Sequence, residues 1–226
     1  MQELNTQNTL REKIATFLRE AIVKGELRPC QRIQEIEIAE RYQTSRTPVR
    51  EALRQLEAEG FLMIRARRGA IVSPITEKDI TEFYEIRGLL ESFAAEKAMS
   101  LITPEEIEYM RQLNGKIKES FSKADVQGIL RTHNEFHEVI VHACGNERLI
   151  NLIKNLATQH QRFRIVLSHT HSVLDSIKEH DEIIAALRAK DSRRLIEAVR
   201  TNSENGCRAL IEKIRAINGQ KAISIN

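Results

Sequence analysis

Apolar residues recur at helical spacing in the first third of the chain, change rhythm briefly, and return to helical spacing for almost all of the remainder. Leu10, Ile14, Phe17, Leu18, Ala21 and Ile22 share one face of a first helix that stops at Lys24-Gly25. Ile36, Ile38 and Ala39 begin a short second helix, and a turn at Tyr42-Gln43 leads into a third. There Val49, Leu53 and Leu56 fall at i, i+4 and i+7, the stripe of a helix packed on a core. Gly60 ends it. Phe61-Leu62-Met63-Ile64 and Ala70-Ile71-Val72 then read as two short strands joined by the basic turn Arg65-Ala66-Arg67-Arg68-Gly69. Pro74 marks a boundary, and Thr76-Glu77-Lys78-Asp79 is a capping sequence for the next helix. From there the spacing predicts helices over about 77–100, 104–122, 125–143, 147–170, 172–189 and 192–217. The breaks fall at Thr103-Pro104, Lys123-Ala124-Asp125, Gly145-Asn146 and Lys190-Asp191.

Two domains are expected: residues 1–75 as a winged helix-turn-helix, and residues 76–226 as an all-helical antiparallel bundle, so the fold class is mainly α. The third helix is the most informative element. Arg46, Arg50 and Arg54 recur every fourth residue and project together, away from the apolar stripe. Ser45 or Thr44 can cap its first turn, and Pro48 is tolerated there because its missing N–H has no partner within the helix. A short helix with a row of guanidinium forks suits the DNA major groove, and the basic turn between the strands suits phosphate or the adjacent minor groove.

Charge placement agrees with that reading. The net formal charge is only +3, but residues 1–75 hold thirteen Lys and Arg against ten Asp and Glu, whereas the remainder balances at twenty-two of each. The excess is local, densest from Arg41 to Arg68, as a polyanion-binding face requires. No apolar run is long enough to span a bilayer, and Met1-Gln2-Glu3-Leu4-Asn5 does not open a signal peptide. Cys30, Cys144 and Cys207 are few and far apart, so no disulfide framework is implied and a reducing cytoplasm is the expected location.

Residues 45–54, Ser-Arg-Thr-Pro-Val-Arg-Glu-Ala-Leu-Arg, followed by Leu56-Glu57-Ala58-Glu59-Gly60, resemble the recognition-helix signature of GntR-family transcription regulators. The helical remainder resembles the FCD effector domain of the FadR-type branch, through Glu85-Ile86-Arg87 with Leu90-Glu91, Glu135-Phe136-His137, Ala143-Cys144-Gly145-Asn146, and Glu179-His180 with Ala186-Leu187 and Asp191. The likeness covers nearly the whole chain. It implies a sequence-specific DNA-binding regulator, with Ser45, Arg46, Thr47, Arg50, Arg54, Arg68 and Gly69 as the DNA-binding set. Ile36 departs from the pattern, since some relatives carry a DNA-contacting arginine there.

All seven histidines lie at or after residue 133. Val126, Ile129, Leu130, His133, Phe136, His137 and Ile140 form one stripe, so His133 and His137 lie one turn apart on a face that should be buried. His180 shares the stripe of Leu174, Ile177, Ile184 and Leu187, and Asn202 follows Val199 on the stripe that begins at Leu195. Polar groups on core faces need partners, either neighbouring hydrogen-bonding groups or one shared divalent ion. The resemblance sharpens the second option. Many FCD domains hold a metal through an aspartate, a histidine four residues on, a third ligand about 43 further and a histidine 22 after that. Here those positions read His133, His137, His180 and Asn202: the aspartate has become histidine and the last histidine asparagine. One divalent ion per chain, zinc or nickel, is the expected cofactor. His142, His160, His169 and His171 read as ordinary surface or interface residues.

Three imidazoles and an amide leave an ion's charge uncompensated, which favours a small carboxylate effector. Arg87, on the stripe of Phe83, Ile86, Leu90 and Ala94, points inward; by resemblance it holds the same carboxylate, and otherwise it pairs with Glu91 or another acid. Asn146 reads as a helix cap. The expected protein is a homodimeric repressor on double-stranded operator DNA, not an enzyme. The competing readings are a DNA-binding dimer with a metal-free or purely structural bundle, and a helical metalloenzyme. The latter is disfavoured because no nucleophile–base set and no pair of Glu-x-x-His helices is visible.

Overall fold

The computed structural model describes residues 9–65, 69–160, 163 and 172–223. These form two compact units that change over between Ile75 and Thr76, with the end of the seventh helix, from Thr158, counted in the first.

The first unit opens with α1 (Leu10–Val23), started by a reciprocal cap: Thr9 Oγ1 accepts from the Glu12 amide, and the Thr9 amide donates to the Glu12 carboxylate. Next come β1 (Arg32–Ile33), α2 (Glu35–Arg41), α3 (Arg46–Ala58), β2 (Leu62–Arg65) and β3 (Gly69–Val72). The sheet is antiparallel in the order β1-β3-β2, with Met63 opposite Ile71 and Arg65 opposite Gly69. β1 has no counterpart among the expected elements, because two residues are too short to display an alternation. The buried sides of α1, α2 and α3 meet the sheet in one core that includes Ile14, Leu18, Ile38, Val49, Leu53, Leu56, Phe61 and Val72. A half-buried ion pair, Arg19 Nη2 to Glu59 Oε2 at 2.7 Å, ties the end of α3 to α1 and so fixes how α3 is presented. Ile36 is 49% exposed and contributes to the surface of α2 rather than to the core.

The described elements of the second unit are all helices: α4 (Glu77–Ala98), α5 (Pro104–Ser122), α6 (Val126–Ala143), α7 (Glu147–His160, apart from its last residues from Thr158), α8 (Ser172–Ala189) and α9 (Ser192–Ile223). Thr76 with Asp79, and Thr103 with Glu106, form reciprocal caps at the starts of α4 and α5. The Asn146 side chain accepts from the Leu149 amide, the expected cap at the start of α7. α5 packs on α6, and α8 on α9, across turns at Ala124 and Lys190 that reverse the chain with positive φ. α4 lies against α9 and α6. Small residues permit that approach: a side chain on Gly206 would begin 3.1 Å from the Tyr84 ring, and one on Gly88 3.2 Å from Ser203 Oγ.

Two expected stripes shift. Ile86 is not on the core face of α4; the buried side is Ile80, Phe83, Tyr84, Gly88, Glu91, Ala94, Ala95 and Ala98. Ile86 is 52% exposed, and with Leu89 at 74% and Phe93 at 46% it forms a second apolar stripe facing outward. α4 is apolar on two sides, so spacing alone could not choose between them. Leu174, near the start of α8, is likewise exposed. The expected continuation of α7 to residue 170 lies outside the described residues except for Phe163, which is buried.

Candidate DNA-reading helix and metal centre

α3 presents two chemically different faces. Val49, Ala52, Leu53 and Leu56 are buried, while Ser45, Arg46, Thr47, Arg50 and Arg54 are exposed. Ser45 occupies the cap position with extended backbone, φ −74° and ψ 167°, yet its side chain makes no capping hydrogen bond, and the first turn holds no acid. The positive end of the helix is thus left open to an anion. Arg50 Nε donates to Glu35 Oε2 at 2.8 Å while its side chain stays 60% exposed. Glu35, in the first turn of α2, orients the arginine without covering it. Sequence spacing could not reveal that pair, which joins two helices fifteen residues apart.

Arg68 lies outside the described residues. Gly69 begins β3 at φ +75°, a backbone region that side chains disfavour. The Arg32 guanidinium lies 3.9 Å from where a Gly69 side chain would begin, so β1 brings a further exposed cation to this edge. The sequence pattern gave no sign of it, for the same reason that it hid β1. Arg41, by contrast, lies over the Phe17 ring at 4.1 Å, and its charge partly serves packing.

In the second unit, α6 brings His133 and His137 together one turn apart, and α8 brings His180 to meet them. One ligand-type nitrogen from each imidazole falls within 4.8 Å of the others. His137 is buried and His180 wholly so, with a half-buried His133 completing the set. The His180 ring stacks on Phe136, centroids 3.8 Å apart and planes 10° from parallel, and its Nδ1 lies 3.1 Å from Asn114 Oδ1. Among the described residues its buried Nε2 has no hydrogen-bond partner. Burial pushes the His133 imidazole down from its ordinary value to about 3, with the Arg87 charge acting in the same direction. Burial, followed by the charges of His133 and Arg87, holds His180 well below its ordinary value. Both rings are therefore neutral at pH 7, the form in which imidazole offers a lone pair to a metal. A buried imidazole nitrogen with no partner, in a set of three, fits a soft-to-borderline divalent ion.

Asn202 is buried on α9, and its Nδ2 donates to Glu179 Oε2 at 2.7 Å. Asn205 donates to the other oxygen of the same carboxylate at 2.6 Å. Arg87 faces inward, nearly buried, with its Nε 2.8 Å from Glu91 Oε1 and its guanidinium 5.7 Å from the centre of the Tyr84 ring. Glu91 is thus the acid that pairs with Arg87. Burial raises the Tyr84 hydroxyl to about 12, against the opposing pull of Arg87, so it stays a neutral donor. His142 is exposed at the end of α6; the side chain of His160, and all of His169 and His171, lie outside the described residues.

Residues 10–72 match the gntR family of bacterial regulatory proteins, and residues 82–214 match the FCD domain. The chain is 30% identical over 196 residues to the uncharacterized HTH-type transcriptional regulator YdhC of Bacillus subtilis, an alignment covering 85% of this chain and 87% of that one. It is 28% identical to the gluconate operon transcriptional repressor of the same organism, covering 85% of this chain and 82% of that one. Its fold is similar to that of E. coli McbR/YncC, with a TM-score of 0.73 at 22% identity over 91% of this chain and 99% of that one. No helix among the described residues is long and apolar enough to cross a membrane. With a guanidinium-lined helix on a winged first unit and a helical second unit, the chain belongs to the GntR family and is a DNA-binding transcription regulator with an FCD domain.

Proposed function

We propose that the chain is a homodimeric repressor, working in the cytoplasm, whose operator binding is tuned by a small organic acid held at a metal site in the second unit. The observation that carries the effector half is the meeting of three buried or half-buried imidazoles, two of them held neutral by burial with the Arg87 charge acting in the same direction. The first unit, residues 1–75, reads DNA: Arg46 and Arg50 contact base edges or nearby phosphate. Arg54 and Arg68 hold the backbone, and Ser45, Thr47 and Gly69 allow close approach. One short helix reads too few base pairs for a unique address, so two copies on a pseudo-palindromic operator are required. The repressor reading is supported by the gluconate operon relative. The outward stripe of Ile86, Leu89 and Phe93 on α4 is the surface we assign to the second copy, because large apolar side chains in a row are costly to leave in water.

His133, His137 and His180 would hold one divalent ion, zinc or nickel, with the Asn202 amide oxygen as a weak fourth ligand or as a neighbour orienting the others. When bound, the ion supplies a positive centre that no carboxylate of this ligand set neutralises, and so attracts an anionic effector. Arg87 then exchanges its bond to Glu91 for one to the effector carboxylate, or shares itself between the two. Such binding alters operator affinity only if the acid prefers one arrangement of the dimer over the other. The Arg87–Glu91 pair also supports a second reading, in which the ion only strengthens the bundle and no acid is sensed.

The test combines elemental analysis of the purified protein, a thermal-shift screen of organic acids, and operator titrations with and without the acid that responds. The expected result is one bound ion per chain and an acid whose effect on operator binding vanishes after chelation or in His137→Ala. An equal acid response in metal-free and metal-loaded protein would sink the metal-linked mechanism, and a bound ion with no responding acid would favour the structural reading.

A further inference from the structure

A neutral imidazole carries its proton on one ring nitrogen and its lone pair on the other, so whether His180 can serve a metal depends on which nitrogen is which. Asn114, buried on α5, decides the matter. Its Nδ2 lies 3.0 Å from the Ile177 carbonyl oxygen and 2.8 Å from Asp181 Oδ1, both on α8. Those two oxygens are acceptors, so the part of the amide facing them must be its NH2 group. Turning the amide over would set oxygen against oxygen twice. The amide oxygen therefore faces His180 Nδ1, at 3.1 Å. Oxygen there can only accept, so Nδ1 carries the proton and donates it, and Nε2 keeps the lone pair. Nε2 is buried and has no hydrogen-bond partner among the described residues, on a ring already fixed by stacking on Phe136.

We propose that Asn114 is a positioning residue of the histidine centre: it holds His180 as the Nδ1–H tautomer, with the Nε2 lone pair turned to the cluster. Asp181 and the Ile177 carbonyl hold Asn114 in turn, and the Asp181 carboxylate polarises the amide so that its oxygen is the stronger acceptor. The purpose of this arrangement rests on the metal reading above; the tautomer itself does not. In water a neutral histidine prefers its proton on Nε2, so the protein is selecting the less favoured form. An outer hydrogen bond of this kind orients a ligand ring and raises the basicity of its free nitrogen.

The test is a long-range proton–nitrogen spectrum of nitrogen-15-labelled, metal-free full-length protein at neutral pH, with the His180 signals identified by their loss in His180→Gln. Wild type should show Nδ1 protonated and Nε2 bare. Asn114→Leu, which cannot accept, should move His180 toward the Nε2–H form and lower zinc affinity by about ten- to a hundredfold. Asn114→Gln, which keeps both the accepting oxygen and the NH2 group needed by Asp181 and the Ile177 carbonyl, should retain the tautomer and most of the zinc affinity. A general loss of packing would lower the melting temperature without this split between variants. Wild type found with Nε2–H would overturn the proposal, as would a folded Asn114→Leu protein with the wild-type tautomer and zinc affinity. If wild type holds no zinc yet shows the Nδ1–H form, and Asn114→Leu loses it, the metal reading fails and the positioning role stands. Should Asn114→Leu not fold, the wild-type spectrum and Asn114→Gln decide the question.

Discussion

Arg50 and His180 are both functional candidates built from helices, yet they are made in opposite ways. Arg50 belongs to a site laid out along a single helix, exposed, with its core-facing neighbours doing nothing but packing. His180 belongs to a site gathered from helices distant in sequence: two imidazoles from α6, one from α8, an amide from α5 behind it and an arginine from α4 in whose field it lies. The first kind costs the fold almost nothing, because solvated guanidinium groups remain solvated. The second kind burdens it, because buried nitrogens must find partners or forgo them. A surface site can therefore be changed without loss of stability, whereas a gathered site cannot be changed without consequences for the unit that contains it.

The largest expected effect tests whether the surface site works singly. Leu89→Asp combined with Phe93→Asp should yield a monomer by sedimentation and weaken operator binding by about a hundredfold or more, since two linked half-sites become independent. A dimer that persisted would move the interface off α4. Next, removing the ion tests whether the buried site bears on stability. Chelation should lower the melting temperature of the second unit by an amount equivalent to about 2.7 kcal/mol when the ion had been present at a hundred times its Kd. No change on chelation would place the two sites on an equal footing and break the contrast.

Arg50→Ala should cost about 1–3 kcal/mol in operator affinity and relax specificity at one base position, with the melting temperature unmoved. A lowered melting temperature would show that Arg50, too, is structural. The smallest effect belongs to its partner. Glu35→Gln frees the guanidinium from an exposed pair and should alter stability by under about 1 kcal/mol. The informative readout is the operator: weaker binding means that Glu35 aims Arg50, and stronger binding means that it restrains it.

The same contrast explains what could be read in the sequence. The arginine row of α3 was legible because one helical period contains the whole face, and the capping sequence Thr76 to Asp79 was legible because it is four residues long. The two strands flanking the basic turn were legible from their change of rhythm, whereas β1 was too short to have one. His133, His137 and His180 could be suspected as polar residues on apolar stripes, and a family spacing joined them. Asn114 could not, because it lies on α5 and bonds to α8 across 63 and 67 residues. Ile86 misled because α4 carries apolar residues on both its inner and outer sides, and only packing against α9 selects between them. Glu35 escaped for a further reason: an acid near an arginine is common in any helical sequence, and its partner is settled by geometry alone.

At the two ends of the second unit, Arg215 near the close of α9 grips Glu77 in the first turn of α4 with two hydrogen bonds, at 2.9 and 2.7 Å. These residues are 138 apart in the chain, and at typical rates of synthesis about seven to twenty-eight seconds separate their appearance from the ribosome. The core of the first unit, from Ile14 to Val72, is available in full well before then. A nascent chain thus passes through a stage with a complete DNA-reading unit and a first bundle helix whose inner and outer apolar sides are both uncovered. On the dimer proposed above, two chains growing side by side on one message would meet first through that helix, before either bundle had closed.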